Sequence, residues 1–328
     1  MDLATVWLIL TGNSVIDWQR VDFRSPAEAR AFLRAQAFDL DARADVERLE
    51  AIKSSAIEYL RRQFDFPIPR PIEQATVEEL LVIASGKGHR QLAACVVLKA
   101  MHIIHHVEAR ELLYGLPMSD QDVFRLVEEK VYRVVGHMLS AGQPITEFVS
   151  GRKRRDSIYT KLLSKSETHA SAIYDKLRFR IVTRSREDLL PVLLYLSQEL
   201  FPFNYVVPHE SINTLIHFRS AAEELPAFKV LAKRFSSVDE LTLSSNTFSS
   251  QAYRILHFVV DMPVRVPKNA LLAAPPAVRS LGPVIFALCE FQMVDRVTEE
   301  SNEGGEASHA SYKERQRIAV MQRLKLGS

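Results

Sequence analysis

The hydrophobic pattern of the chain changes its period near residues 141–144, and this change constrains the fold most strongly. Before it, apolar residues recur at helical spacing, as in Leu49, Ile52 and Leu60. After it, short runs rich in β-branched and aromatic residues alternate with helical stretches. We therefore predict an α+β protein in which a helical N-terminal domain (residues 1–145) is followed by a mixed β-sheet flanked by helices (residues 146–328).

Local signals place the elements within this plan. Ser25, Thr76 and Ser119 precede predicted helices as N-caps, and the proline-rich segment 66–71 predicts an extended spacer. In the second part we predict strands at 178–183, 205–207, 255–261 and 284–291. We predict helices at 186–200, 224–235 and 298–324, with a break in the last at Gly304–Gly305.

Composition excludes several classes of protein. The chain has 328 residues, 47% of them hydrophobic, which argues against a disordered chain. A formal net charge of +2 argues against a surface that binds polyanions all over. The two cysteines, Cys95 and Cys289, lie in apolar segments and are expected to be buried thiols. The most apolar stretch, residues 92–104, is interrupted by Lys99, so we expect no membrane span and a cytoplasmic protein.

Cations concentrate in residues 152–161, where five of ten residues are Lys or Arg. Lys153, Ser157 and Lys161 are four apart, so on a helix they share one face. Two ammonium groups beside a hydroxyl suit a polyphosphate. Taken alone, however, the segment fits a solvated basic face or a nonspecific RNA-binding patch better.

Two carboxylates accompany predicted strands. Asp175 lies just before the strand at 178–183, and Glu290 lies on an apolar strand with Gln292 on the same side. A charge on such a strand is costly unless it is paired or bound to a metal. The pair suits Mg²⁺-assisted transfer from a nucleotide. A structural ion pair, such as Asp175 with Arg180, fits the same residues.

Taken in order, these segments resemble the nucleotidyltransferase-like synthetase domain of the RelA/SpoT family of alarmone synthetases, over about residues 150–313. The magnesium-binding Asp of the family, followed by an Arg on the same strand, matches Asp175 and Arg180. Arg178 stands where the family usually has Gly or Ala, which implies a crowded site or a reshaped adenine pocket.

The ATP motif of the family is Arg-x-Lys, followed by Ser-Ile-Tyr/Trp and a Lys. Here Lys153, Ser157 and Lys161 match it. The leading arginine falls on Gly151, so the resemblance implies that Arg152 substitutes for it or that the site differs.

The acceptor motif, Asn-Gly-Tyr-x-Ser-Leu-His, reads Gln-Ala-Tyr-Arg-Ile-Leu-His at residues 251–257. The resemblance implies that Tyr253 stacks on the acceptor base and that His257 contacts its phosphates. Stacking discriminates poorly among bases, so a guanine acceptor is implied by the family alone. A cross-strand aromatic on a sheet remains the alternative role of Tyr253.

The final family block is Glu-x-Gln-Ile-Arg-Thr followed by Ala-Glu-x-Gly-x-Ala-Ala-His-x-x-Tyr-Lys, and it aligns without a gap. The matching residues are Glu290, Gln292, Glu303, Gly305, Ala307, His309, Tyr312 and Lys313. Val294 and Asp295 replace the arginine and the threonine. Gln292 and His309 are implied substrate contacts, although His309 also suits a buried core position.

The resemblance implies a pyrophosphokinase that uses ATP as donor and Mg²⁺ held by Asp175 and Glu290, with these two carboxylates as the catalytic pair. The acceptor is GDP, GTP or the 3′ end of a tRNA. A different class remains open: an inactive relative that senses nucleotides or binds RNA or a protein.

The helical part carries a histidine pair, His102 and His106, that are four apart and could share a helix face as metal ligands. A packing helix with interfacial histidines is the preferred interpretation. This part suits regulation, acceptor positioning or homo-oligomerisation.

Overall fold

In the described part of the chain, helices occupy the region from Pro26 to Ser140, and the first strand begins at Ile145. The computed structural model describes residues 22–164, 176–216, 253–304 and 309–326. The helices before the first strand are α1 (Pro26–Ala35), α2 (Arg43–Phe64), α3 (Arg70–Gln74), α4 (Val77–Ala84), α5 (His89–Gly115) and α6 (Asp120–Ser140). The later helices are α7 (Arg155–Ser164), α8 (Leu189–Glu199), α9 (Lys268–Ala273), α10 (Pro276–Arg279), α11 (Arg296–Glu303) and α12 (His309–Leu326). The strands are β1 (Ile145–Arg152), β2 (Leu177–Thr183), β3 (Ile212–Asn213), β4 (Leu256–Arg265) and β5 (Val284–Asp295).

The helix starts follow the local sequence signals. The side chain of Ser25 accepts a hydrogen bond from the backbone N–H of Glu28 at the start of α1. Thr76 and Ser119 each begin a capping box, which satisfies backbone donors that a helix cannot pair internally. The extended spacer is shorter than predicted, since α3 already begins at Arg70.

Within the described residues the strands form a five-stranded sheet in the order β1-β2-β5-β4-β3. Strands β2 and β5 are parallel, and the other neighbours are antiparallel. Helices flank this mixed sheet, which confirms the predicted α+β class. The predicted strands at 178–183, 255–261 and 284–291 are confirmed as β2, β4 and β5.

Other local predictions were wrong or incomplete. The strand predicted at 205–207 is a 3₁₀ turn, Phe203–Tyr205, followed by a single bridge from Val206 to Val260. Strands β1 and β3 were not predicted; β1 is half-exposed and contains Gly151, so its alternation is weak. The predicted break after α11 is confirmed at Gly304. The helix predicted at 224–235 lies outside the described residues.

One face of the sheet packs against α6. The rings of Tyr132 and Phe148 lie 5.8 Å apart, and Phe148 stacks on Phe179 of β2, which contacts Phe291 of β5. Buried residues of the helices and of the sheet belong to one hydrophobic cluster. The transition at residue 145 therefore separates helices from strands within a continuous core, and the division into two domains stays a prediction.

The helix α5 is long and apolar enough to span a membrane by length and composition, and it is the only described helix that is. Most of its buried residues, including Cys95 and Leu98, belong to the core cluster, as in the core helix of a globular fold. Cys95 and Cys289 are both buried free thiols, as expected.

Candidate functional site

Three predicted site residues form a row across neighbouring strands. Arg180 of β2 pairs with Gln292 of β5, and Gln292 pairs with His257 of β4. Residues directly opposite each other project from the same face of a sheet. They alternate with Phe179 and Phe291, which pack on the α6 side. The row therefore lies on the face opposite to α6.

Glu290 lies on the same face, two residues before Gln292, and is only 6% exposed. Its Oε1 accepts a short hydrogen bond from Nε2 of Gln292 and lies 3.3 Å from Nε2 of His257. Such donors are what a buried carboxylate requires, because an isolated buried charge is very costly. The arrangement fixes the position of one carboxylate oxygen in the row.

Arg180 is paired with a residue that the motifs did not indicate. Its Nη2 lies 2.8 Å from Oε1 of Glu299 on α11. Burial raises the pKa of Glu299, Arg180 opposes that shift, and Glu147 and Glu303 add to it. Glu299 was missed because its partner, Arg180, lies 119 positions earlier in the chain, on β2.

The row also carries two buried polar atoms without a hydrogen-bond partner in the described structure: Nε of Arg180 and Nδ1 of His257. Buried polar groups are almost always paired, so each unpaired one requires an explanation. The two atoms belong to the two side chains that flank Gln292 in the row, as expected where a polar ligand completes the hydrogen bonding.

Tyr253 precedes β4 and lies close to this row. Burial raises the pKa of the Tyr253 hydroxyl most strongly; Arg180 and Arg178 lower it, and Glu290 and Glu299 raise it. The phenol is therefore neutral near pH 7 and is electrostatically coupled to both arginines.

Asn302 of α11 holds the backbone next to Tyr253. Its Oδ1 accepts from the N–H of Arg254 at 3.0 Å, and its Nδ2 donates to the C=O of Arg254 at 2.7 Å. Asn302 is buried. Helix α11 thus contributes both Glu299 and Asn302 to the site, and neither residue was a predicted site residue.

The basic cluster does not form one surface. Arg152 lies on the α6 side, where Nη2 is 2.6 Å from Oε2 of Glu128 and the guanidinium lies over the ring of Phe124. That ion pair raises the pKa of Arg152. The structure therefore places Arg152 on the face opposite to the row.

Only two of the three ATP-motif residues share a helix. Helix α7 begins at Arg155 and contains Ser157 and Lys161 one turn apart. Lys153 lies outside it, because its backbone N–H donates to the C=O of Lys176 at 2.9 Å and extends the pairing of β1 with β2. The shared helical face of three residues is therefore not formed.

Two predicted site residues cannot be placed. Asp175 lies outside the described residues, immediately before Lys176. The backbone of His309 begins α12, but its side chain is outside the described part. Both assignments stay predictions.

The described residues do not by themselves form a metal centre. No three His, Cys, Asp or Glu side chains converge on one point in the described ranges. They contain one of the two predicted magnesium ligands, Glu290, and the Nε2 atoms of Gln292 and His257 already contact its Oε1. Magnesium binding therefore stays a prediction that depends on Asp175.

The histidines of α5 pack between the helices and the sheet. Nδ1 of His102 lies 3.1 Å from Nδ2 of Asn204, and Nε2 of His106 lies 3.2 Å from Oδ2 of Asp261. His105 is buried with Nδ1 3.1 Å from the hydroxyl of Tyr205. These contacts match the preferred interpretation of a packing helix.

Comparison with known proteins gives structural similarities only. No family model matches the chain, and no curated protein matches it. The small alarmone synthetase 1 from Bacillus subtilis is 16% identical, covering 67% of this chain and 88% of its own, with a TM-score of 0.33. The small alarmone synthetase 2 from Bacillus subtilis is 16% identical, with a TM-score of 0.31. The match covers 66% of this chain and 94% of the synthetase chain. A GTP pyrophosphokinase family protein from Streptococcus pneumoniae is 14% identical, with a TM-score of 0.28. The match covers 64% of this chain and 90% of that protein's chain. Similarity at these identities and TM-scores assigns neither a family nor an activity to this chain.

Proposed function

We propose that the protein transfers pyrophosphate from ATP to a hydroxyl group of a nucleotide acceptor. The observation that carries this proposal is the row of Arg180, Gln292 and His257 beside the buried Glu290. It combines cationic and neutral donors for phosphate oxygens with one fixed carboxylate. The match of the flanking motifs to alarmone synthetases supports the same chemistry.

In the proposed reaction the acceptor oxygen bonds to the β-phosphorus of ATP. The bond from that phosphorus to the oxygen bridging to the α-phosphorus breaks, and AMP leaves with this oxygen. The hydroxyl proton passes to Glu290, which Gln292 and His257 hold in position. Tyr253 would stack on the acceptor base, and Lys153, Ser157 and Lys161 would bind the donor phosphates.

Magnesium belongs to this proposal as the cofactor, with Asp175 and Glu290 as its predicted ligands. A bound Mg²⁺ supplies charge neutralisation on the phosphate oxygens. GDP and GTP are the proposed acceptors, and a tRNA 3′ end is the alternative acceptor.

The test incubates the purified protein with γ-labelled ATP and GDP, GTP or deacylated tRNA, with Mg²⁺ or with EDTA. We expect label on one acceptor and AMP as the second product, and no transfer with EDTA. Glu290→Gln and Asp175→Asn should abolish transfer, while Glu300→Gln, at an exposed carboxylate of α11, should not.

A second candidate function is a nucleotide sensor without transfer activity. The observation that favours it is the neutralisation of Arg180 by Glu299, together with the placement of Arg152 on the α6 side. Binding of ATP with no product on any acceptor would select this function over the transferase.

A further inference from the structure

Gly151 and Arg178 lie directly opposite each other in the antiparallel pair of β1 and β2. Directly opposite residues share one face of the sheet, with Cβ positions about 4.5–5.5 Å apart. This face carries Arg180 and Gln292, and Arg178 itself pairs with Glu290 on its other side. Arg178 therefore lies between an empty glycine position and the carboxylate of the site.

The space above Gly151 is open. A Cβ atom added to Gly151 would meet no atom within 4 Å in the described structure. Gly151 has an ordinary negative φ, so its backbone conformation does not require glycine. Because Gly151 has no side chain, there is room for the long side chain of Arg178 on the paired strand.

Unlike the guanidinium groups of Arg152 and Arg180, that of Arg178 forms no ion pair with a described residue. Arg152 is paired with Glu128 on the α6 side, and Arg180 is paired with Glu299. Arg178 is exposed and has no hydrogen bond or ion pair to any described residue. Its influence on the pKa of Tyr253 shows that its charge acts on the site.

We propose that Arg178 binds the polyphosphate of the nucleotide from the space above Gly151. An arginine at position 151 and one at position 178 would reach the same region from paired strand positions. A guanidinium carried at either of these two paired positions should therefore serve the same phosphate. The inference rests on the proposed nucleotide site but requires only binding, not transfer.

The test measures binding of α,β-methylene ATP and of tripolyphosphate by calorimetry to the full-length protein. Arg178→Gly should weaken both by about 10- to 100-fold, the range of charge-assisted hydrogen bonds. Arg178→Lys should retain part of the affinity, and Arg178→Gln, which keeps the side-chain length, should lose it. Arg133→Ala removes an exposed arginine of α6 and should leave binding unchanged.

The decisive variant combines Gly151→Arg with Arg178→Gly. We expect it to recover most of the binding that Arg178→Gly loses, because the guanidinium returns to the same space. A swapped protein that binds no better than Arg178→Gly overturns the equivalence of the two positions. Unchanged binding in both Arg178→Gly and Arg178→Gln overturns the inference while leaving the proposed function intact. If the unmodified protein binds neither probe, the proposed function fails together with the inference.

Discussion

Nε2 of His257 lies 3.3 Å from Oε1 of Glu290, so neighbouring antiparallel strands place an imidazole beside a buried carboxylate. Gln292 donates to the same oxygen. Two nitrogens on one oxygen hold the carboxylate in a defined orientation, which a proton acceptor requires. This contact joins a residue of the acceptor motif to one of the final motif.

Replacing Glu290 with Gln should abolish transfer and spare nucleotide binding. The amide keeps the shape but cannot take the hydroxyl proton, and general bases contribute about 100- to 10,000-fold. We expect at least about a 100-fold loss of the transfer rate, measured with labelled ATP. Transfer at the unmodified rate would exclude Glu290 as the base. Glu300→Gln is the matched control.

Replacing Glu299 with Gln should tighten polyphosphate binding at low salt. The change removes a negative charge 2.8 Å from Arg180 and leaves that guanidinium without its counter-charge. We expect tripolyphosphate to bind about three-fold more tightly, with the gain shrinking in 0.5 M NaCl because salt screens the interaction (Debye length about 4 Å at this salt). Arg180→Gln should shift the affinity in the opposite direction. Weaker binding in Glu299→Gln would show that Glu299 serves mainly to orient Arg180.

Replacing Asn302 with Ala should destabilise the protein and impair acceptor binding. Both backbone groups of Arg254 lose their partner, and each hydrogen bond contributes about 0.5–1.5 kcal/mol. We expect a lower free energy of unfolding in urea and a KM for the acceptor that rises more than the KM for ATP, since Tyr253 is adjacent. Equal rises in both constants would indicate a general structural effect.

The stability of the protein should fall on acidification because of His105. Burial lowers the pKa of His105 from 6.5 to about 3, with smaller effects of Arg48, His102 and His106. As the pH falls below about 6.5, the unfolded chain binds a proton that the folded protein does not. The free energy of unfolding then decreases by about 1.4 kcal/mol per pH unit until the folded-state pKa is reached.

His105→Phe isolates this effect. Between pH 6.5 and 4.5 the urea-unfolding free energy of the variant should depend less steeply on pH than that of the unmodified protein. Burial raises the pKa of Asp261 to about 6, which acts in the opposite direction but is common to both proteins. Equal slopes would contradict a neutral buried His105.

Local elements were predictable where the signal lies within a few residues. The N-caps at Ser25, Thr76 and Ser119 act on backbone groups two or three positions away, so they can be identified in the sequence. The edge strand β1 was missed because its pairing with β2 is a long-range contact that its own half-exposed pattern does not reveal.

The candidate site likewise combines residues that the sequence predicted with contacts that it did not predict. The sequence predicted five site residues that the structure places close together: Glu290, Gln292, His257, Tyr253 and Arg180. The contacts of Arg180 with Glu299 and of Arg152 with Glu128 were not foreseen, because the partners are separated by 119 and 24 positions along the chain.

The fold class, the helix starts after Ser25, Thr76 and Ser119, and the charged residues of the candidate site could be predicted from the sequence. Those properties follow from periodicity, capping and residue chemistry, which are local. Which cations face the candidate site, and which are paired with carboxylates of helices, depends on long-range contacts. Strand order and register decide which side chains lie next to each other on one face of the sheet. A one-residue change of register would move every side chain of a strand to the opposite face. The pairing of Gly151 with Arg178 is one such outcome.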